Sequence, residues 1–166
     1  MMAMARFFDA RRRLCLQLLL AGAAPAWAAP ALDASERLLP SSQSLQSDLA
    51  LALAHKQPLV VMASLHGCPF CKIVREHYLL PLQQSGALVT QIHFLSPEPL
   101  RDWNGAATTH GGMVRQLEIE VAPSVLFYGA GRREVAERLI GSSIPDFYGA
   151  YLDERMNTAR AAVQGR

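Results

Sequence analysis

Two cysteines three positions apart, Cys68 and Cys71, are the residues of this sequence best suited to chemistry. They stand in the stretch SLHGCPFCKIV, residues 64–74. Thiols at this spacing suit a redox couple, a pair of ligands for Zn or Cu(I), or a structural disulfide. A disulfide across two intervening residues closes too small a loop to contribute much stability. The spacing alone does not decide between redox chemistry and the other two roles.

The elements around the motif are predicted to place Cys68 where a strand passes into a helix. Residues 58–64, PLVVMAS, form the short β-branched and apolar run of a buried central strand. Pro69 suits a first helical turn, and apolar residues then recur near the helical period. Free backbone N–H groups at a helix start favour the thiolate of Cys68. Cys71, one turn along, is then placed to attack a mixed disulfide on Cys68.

The remaining pattern predicts a small α/β domain. Leucines at every fourth position indicate a helix that begins near Ser44 or Ser47. Further along, we expect a helix after Pro69 that Pro81 kinks or ends, a strand at 87–96, a surface connection at 97–112 anchored by Trp103, a helix near 113–119, strands at 124–128 and 135–140, and a helix at 145–162. A crossover helix implies parallel strands and the short Gly turn implies a hairpin, so the sheet should be mixed and flanked by helices.

The N-terminus has the features of an export signal. Four arginines precede the apolar run at residues 14–24, and Ala26-Trp27-Ala28 follows it. This order predicts a secretory signal peptide over residues 1–28 and a periplasmic protein, with an uncleaved anchor as the alternative. Cys15 would leave with the signal, and the two remaining thiols would enter a compartment where disulfides persist. We expect a flexible linker at 29–43 and the domain at 44–166.

Composition limits the classes of partner. The chain has 166 residues, of which 51% are hydrophobic and 18% charged, enough for one domain with a real core. Residues 1–28 hold four of the 16 basic and one of the 14 acidic residues, so the rest of the chain carries 12 basic and 13 acidic residues, net −1. Because no basic stripe is present to neutralise phosphates, nucleic acid is not an expected partner.

The motif and a proline 52 residues beyond it together resemble a known family. A strand that leads into C-P-x-C on a helix, Pro123 just before the strand SVLF, a Gly turn, a last strand and Gly141 are similar to thioredoxin-fold thiol–disulfide oxidoreductases. The resemblance covers residues 45–162. GCPFCK at 67–72 and DWNGAATT at 102–109 resemble the exported SoxW-type thioredoxins. The implied fold is a thioredoxin-like three-layer sandwich with a mixed central sheet between helices.

The resemblance assigns roles to four residues, and the position of Phe70 between the cysteines suggests a role for a fifth. Cys68 would be the nucleophile and Cys71 the resolving thiol. Pro123 would be a cis-proline that faces them, and the backbone of Ala122 would bind an extended substrate segment as an added strand. Phe70 would be an apolar rim residue that contacts partners.

The chain also departs from the thioredoxin pattern. Where thioredoxin has a buried acid and a tryptophan, this sequence has Met62 and Gly67. The usual proton acceptor for the resolving thiol is therefore missing. His66, as an imidazolium, would stabilise the Cys68 thiolate, or else it is an exposed loop histidine without a role. His77, His93 and His110 are expected to be structural or exposed.

The sequence thus predicts an exported thiol–disulfide oxidoreductase, specifically a monomeric protein disulfide reductase without a cofactor. Its partners would be disulfide-containing protein substrates and a membrane thiol electron donor. Residues 97–112 are too few for the helical insertion of an oxidant of the DsbA kind, and no dimerisation domain of an isomerase is visible. The alternatives are periplasmic Cu or Zn binding, which lacks a second C-x-x-C, and a non-catalytic interaction module. Haem attachment fails because Lys72, not histidine, follows Cys71.

Overall fold

The computed structural model of the chain describes residues 34–142 and 145–165, so the predicted signal peptide lies outside the described residues. The strands are β1 (Leu59–Ser64), β2 (Leu88–His93), β3 (Pro99–Arg101), β4 (Ala107–Thr109), β5 (Ser124–Gly129) and β6 (Arg133–Ile140). The helices are α1 (Leu45–Ala54), α2 (Pro69–Val74), α3 (Leu80–Gln84), α4 (His110–Gln116) and α5 (Pro145–Gln164). Within the described ranges, no helix has both the length and the apolar character needed to cross a membrane.

The central sheet is mixed, as predicted. Its strand order is β2-β1-β5-β6. Strand β1 pairs with β2 in parallel and with β5 antiparallel, and β5 pairs with β6 antiparallel. Every residue of β1 is buried, which fits a central strand covered on both faces. The carboxyl end of β1 leads directly into the C-P-F-C motif.

Two hydrophobic cores lie on opposite faces of this sheet. Val60 and Met62 of β1 face a core shared with α2, α3 and α5. Val61 and Ala63 face a second core shared with α1 and α4. This alternation follows from the pleat of the strand, which points successive side chains to opposite faces. The fold is therefore the predicted three-layer sandwich, and Cys71 belongs to the first of its cores.

The helix that carries the motif does not end at Pro81, although an end there is one of the two effects predicted for that proline. A π-helical turn, Arg75–Leu79, joins α2 to α3, and the N–H of Leu80 donates to the carbonyl of Arg75. Pro81 lies in the first turn of α3, where its missing N–H costs little. The wide turn shifts the hydrogen-bond partners just before the proline, so the chain stays helical to Gln84.

Residues 97–112 are more ordered than the predicted surface connection. They contain the hairpin of β3 and β4 and the first residues of α4. Leu100 is buried, and Trp103 packs its ring 4.3 Å from that of Tyr128, which confirms Trp103 as an anchor. Strands of three residues are too short to show the alternation that identifies a strand in sequence.

The linker prediction is wrong for residues 34–43. The segment begins with a 3-10 turn, Ala34–Arg37, and buries Leu39 in the first core. It then runs along the edge of β2, where Ser42 N–H donates to Gln91 O and Gln91 N–H donates to Pro40 O. Because one leucine and hydrogen bonds to β2 hold the segment, its Pro/Ser-rich sequence shows no periodic pattern.

Candidate active site

Cys68 caps the helix of the motif and is partly buried. The backbone N–H of Cys71 donates to the Cys68 sulfur at 3.2 Å. Gly67, directly before it, has φ +71°, a left-handed conformation that side chains with a Cβ rarely adopt. The glycine therefore lets the chain turn sharply from β1 into α2 and leaves the Cys68 sulfur at the first turn of the helix, as the sequence predicts.

Cys71 is in a very different environment, with 0% of its side chain exposed. Burial raises its pKa above the ordinary value, and the hydrogen bond with Cys68 raises it further. The backbone N–H of Leu65 and the positive charge of Arg75 act in the opposite direction. Met62 lies in the same core, so the position of the missing acid holds an apolar side chain.

The predicted substrate residues come together in one groove. The Ala122–Pro123 peptide bond is cis, as the resemblance implies. A groove of about 260 Å³ is lined by Phe70, Val121, Ala122, Pro123, Gly141 and Ser142. Phe70 is 58% exposed, and Cys68 and Ala122 pack against the same core. Since Ala122 precedes the first paired residue of β5, Ser124, its backbone lies just outside the sheet ladder.

His66 is held by a carboxylate that the sequence analysis missed. Its Nδ1 lies 2.6 Å from Oε2 of Glu36, and Gly67 N–H donates to Oε1 of the same side chain at 3.0 Å. Burial alone would raise the pKa of Glu36, yet the Gly67 N–H, the His66 ring and the charge of Arg75 lower it overall. Glu36 is therefore a carboxylate that fixes the loop before Cys68, and His66 is not a loop histidine without a partner.

Three histidine rings form a stack next to this loop. The rings of His66 and His93 lie 4.7 Å apart and nearly parallel, and those of His93 and His110 lie 5.4 Å apart. Burial, with a smaller effect from the neighbouring histidines His66 and His110, lowers the pKa of His93 to about 4. His93 bonds Ser41 and Ser64 through its two ring nitrogens. His93 and His110 are thus structural, as expected, and His77 is exposed.

A buried arginine, Arg75, is the second residue that the sequence analysis missed. It lies one helical turn after Cys71 and is 1% exposed. An arginine on a surface helix is expected to reach solvent, so its sequence position gave no sign of burial. Its guanidinium donates to the neutral acceptors Gln91, Ser35 and Ser64.

Within residues 34–142 and 145–165, no group of three or more His, Cys, Asp and Glu side chains is arranged to hold a metal ion. The thiols and histidines of the site are instead bound to protein groups. His66 forms a hydrogen bond with Glu36, and His93 forms hydrogen bonds with two serine hydroxyls.

Comparison with known proteins places the fold. The solution structure of a thioredoxin from Thermus thermophilus matches with a TM-score of 0.51 and 20% identity, over 76% of this chain and 93% of that chain. A thioredoxin-fold protein from Helicobacter pylori matches with a TM-score of 0.49 and 11% identity, over 80% of this chain and 94% of that one. No protein-family model and no curated protein matches the sequence. The chain therefore has the thioredoxin fold.

Proposed function

We propose that the protein is an exported thiol–disulfide oxidoreductase that reduces disulfide bonds of other proteins through Cys68 and Cys71. The observation that carries the proposal is the placement of the two thiols. A partly buried Cys68 caps a helix whose Phe70 lines an apolar groove, and a fully buried Cys71 donates its N–H to the Cys68 sulfur. The Cys68 sulfur can react with a substrate while the Cys71 sulfur stays buried.

The reaction takes place in two exchanges. The Cys68 thiolate attacks one sulfur of the substrate disulfide, a mixed disulfide forms, and the other substrate sulfur leaves as a thiolate that takes a proton. Cys71, after losing its proton, then attacks the Cys68 sulfur. The Cys68–Cys71 disulfide forms, the bond to the substrate breaks, and the second substrate thiolate leaves. The substrate gains two electrons, and the protein holds the disulfide.

The groove beside Cys68 suits an extended segment of a protein substrate. Phe70 and Val121 offer exposed apolar surface at its rim. The backbone of Ala122 lies next to the sheet ladder, where an incoming strand would find hydrogen-bond partners. Affinity from main-chain bonds and apolar contacts would accept many different sequences around the target disulfide.

The finer assignment is a periplasmic, monomeric reductase of the SoxW type that a membrane thiol donor keeps reduced. Its support is the sequence GCPFCK at 67–72 and the export signal predicted over residues 1–28. The β3–β4 hairpin also occupies residues 99–109, within the tract where an oxidant would carry a helical insertion. Equilibration of the Cys68–Cys71 pair with glutathione tests the direction of electron flow. A potential near −270 mV, roughly that of thioredoxin, supports a reductase, and one near −120 mV an oxidant.

Replacement of the resolving thiol tests the exchange reaction itself. In a Cys71→Ser chain that also carries Cys15→Ser, as does its control, mixed disulfides on Cys68 should accumulate because nothing resolves them. Non-reducing gels and peptide mass spectrometry would detect the adducts, and the Cys68→Ser chain serves as the matched control that traps none. If the Cys71→Ser chain forms no adduct with a disulfide-containing protein although Cys68 reacts with iodoacetamide, the proposed function is wrong.

A further inference from the structure

The second exchange poses a problem that the motif does not solve. Cys71 must lose its proton before it can attack, because the thiolate is the nucleophile. Its sulfur is buried, and the position of the buried acid is taken by Met62, an apolar side chain in the same core. A buried thiol without help holds its proton more strongly. Some other group must favour the ionised form of Cys71.

Arg75 is the group with the right charge and burial. A guanidinium stays protonated in proteins and loses most of its hydration when it is buried. Its three hydrogen bonds reach only neutral oxygens, at 3.2 Å to Gln91, 3.0 Å to Ser35 and 3.2 Å to Ser64. Among the ion pairs of the described residues, none includes Arg75. Its positive charge is therefore stabilised by dipoles and is not cancelled by a bonded carboxylate.

The guanidinium and the Cys71 sulfur converge on the end of β1. Arg75 donates to the hydroxyl of Ser64, the last residue of that strand. A backbone hydrogen bond from the next residue, Leu65, lowers the pKa of Cys71. The backbone N–H of Arg75 also donates to the carbonyl of Cys71, so the two residues occupy consecutive turns of one helix. The cation and the thiol are thus fixed to adjacent residues of the same strand end.

The other titratable groups around this pair come from each neighbouring element. Cys68 lies on the same helix, Glu36 on the N-terminal segment, His66 on the loop after β1, His93 on β2 and Tyr148 on α5. Glu36 is the only carboxylate in this group, and both of its oxygens are bonded to the loop at His66 and Gly67. Buried His93 and Tyr148 are neutral near pH 7, because burial lowers the pKa of the first and raises that of the second.

We propose that Arg75 is a positioning residue of the exchange reaction, whose buried guanidinium stabilises the Cys71 thiolate from within the protein. The proposal rests on the proposed function, since only a resolving thiol needs this help. The proton of Cys71 leaves to water, and the Arg75 charge together with the Leu65 N–H holds the resulting thiolate. The thiolate then forms the bond to Cys68 as the bond from Cys68 to the substrate breaks. A cation here replaces by attraction what an internal base would do by proton transfer.

Stopped-flow reaction with 5,5′-dithiobis(2-nitrobenzoate) separates the two exchanges. In the reduced Cys15→Ser chain, attack by Cys68 releases one coloured thiolate and attack by Cys71 on the mixed disulfide releases the second. We expect Arg75→Met to leave the first phase nearly unchanged. The second phase should slow by roughly threefold to tenfold near pH 7 for each unit by which the thiol becomes harder to ionise, because weaker acids are partly compensated by better nucleophilicity. Its rise with pH should move to higher pH.

Two further variants separate charge from structure. Arg75→Lys provides an ammonium group in place of the guanidinium. Where it keeps its charge, the second phase should stay within about twofold of the unsubstituted rate at neutral pH, since a change of one unit in the pKa of Cys71 would alter the thiolate fraction tenfold. Lys72→Gln removes a cation from the neighbouring, exposed position and should change neither phase, since solvent screens that charge. Circular dichroism reports whether each chain is folded.

The outcomes are distinct. A second phase with the same rate and pH dependence in a folded Arg75→Met chain would overturn the role of Arg75. If Arg75→Met does not fold, Arg75→Gln replaces it, and an unchanged second phase in a folded Arg75→Gln chain counts equally against a role for the charge. A chain with Arg75 intact that releases only one equivalent would instead contradict the proposed function, because Cys71 then resolves nothing.

Discussion

The two sulfurs of the C-P-F-C motif lie in two different environments. Around Cys68 the protein presents a glycine turn, an apolar groove and partial exposure to water. Around Cys71 it presents a closed core on one side and a buried polar cluster on the other, with Arg75 as its cation. Three positions in sequence thus separate a partly exposed sulfur from one that is fully buried.

This difference matches the different demands of the two exchanges. In the proposed reaction the first exchange needs access, because its partner is a disulfide of a second protein. The second needs only one fixed partner, the sulfur of Cys68, but it needs a thiolate in a place where burial disfavours one. The interior around Cys71 therefore has to supply electrostatic help that water supplies around Cys68. Four measurements break or sharpen this contrast.

The largest expected effect is the difference in accessibility itself. In the reduced, folded chain, iodoacetamide should modify Cys68 faster than Cys71 by on the order of 1,000-fold, because a buried thiol reacts only through local opening. Peptide mass spectrometry at timed intervals measures each site separately. The difference should vanish in concentrated denaturant. Equal rates for both thiols in the folded chain would show that Cys71 is not enclosed.

The buried side should also be sensitive to acid. His93 has a pKa of about 4 in the folded protein and an ordinary value of 6.5 when unfolded. Between these pH values the unfolded chain binds more protons, so the free energy of unfolding should fall by about 3 kcal/mol as the pH drops from 6.5 to 4. Urea denaturation across that range measures the slope. Burial lowers the pKa of His110 as well, which adds to the same trend.

Substitutions separate this trend from general acid sensitivity. His93→Gln should remove most of the slope between pH 6.5 and 4, whatever its effect on stability at pH 7. His77→Gln changes an exposed histidine and should leave the slope intact. A slope that persists in His93→Gln would assign the acid sensitivity to other groups.

A smaller effect is expected from the carboxylate that joins the N-terminal segment to the loop before Cys68. Glu36→Gln keeps the shape but loses the charge, and should lower the free energy of unfolding at pH 7 by about 1–2 kcal/mol. Because the folded pKa of Glu36 is lowered from 4.5, its contribution is complete above that pH and disappears as the pH falls through the folded value. The two chains should therefore converge in stability in acid.

Glu154→Gln is the matched control, since Glu154 is an exposed carboxylate that forms an ion pair with Arg155. That change should stay within about 0.5 kcal/mol at every pH. Guanidine denaturation at pH 7 and in acid measures all three chains. A Glu36→Gln chain as stable as the unsubstituted one at pH 7 would mean that the loop does not depend on this charge.

The smallest change in stability is expected on the exposed side. Phe70→Ala should alter the free energy of unfolding by no more than about 0.5 kcal/mol, because 58% of the ring is already in water. It should nonetheless raise KM for reduction of a protein disulfide severalfold with little change in kcat. Leu51→Ala, 53% exposed on α1, is the control that should leave KM unchanged. An unchanged KM in Phe70→Ala would remove the rim from substrate recognition.

The sequence was sufficient for the side of the site built from contiguous patterns. A strand follows from the run 58–64, a turn from Gly67 and a helix start from Pro69. The placement of Cys68 therefore follows from local rules. Pro123, placed before an apolar strand, predicted a second side of the groove, and Pro123 does line the groove together with Phe70. Each of these signals lies within a few residues of the structure that it produces.

The buried side depends on contacts that no local pattern encodes. Glu36 meets His66 across 30 positions, from a segment whose Pro/Ser-rich composition is typical of linkers. Arg75 meets Ser35 across 40 positions, and a lone arginine in a helix is normally solvated. The β3–β4 hairpin was missed because its strands have three residues each. Tertiary contacts, rather than propensity, decide all three.

The N-terminal segment along β2 has one more consequence, for how the protein behaves at high concentration. An uncovered edge strand offers free N–H and C=O groups to other chains and promotes edge-to-edge aggregation. Here β2 is at one end of the sheet, and the hydrogen bonds between Gln91 and residues 40–42 occupy part of its outer side. The opposite edge, β6, carries four charged residues of both signs, which include the ion pair between Arg138 and Glu134. The N-terminal segment thus covers part of the β2 edge, and charged side chains line the β6 edge. Both features disfavour association of the sheet with other chains.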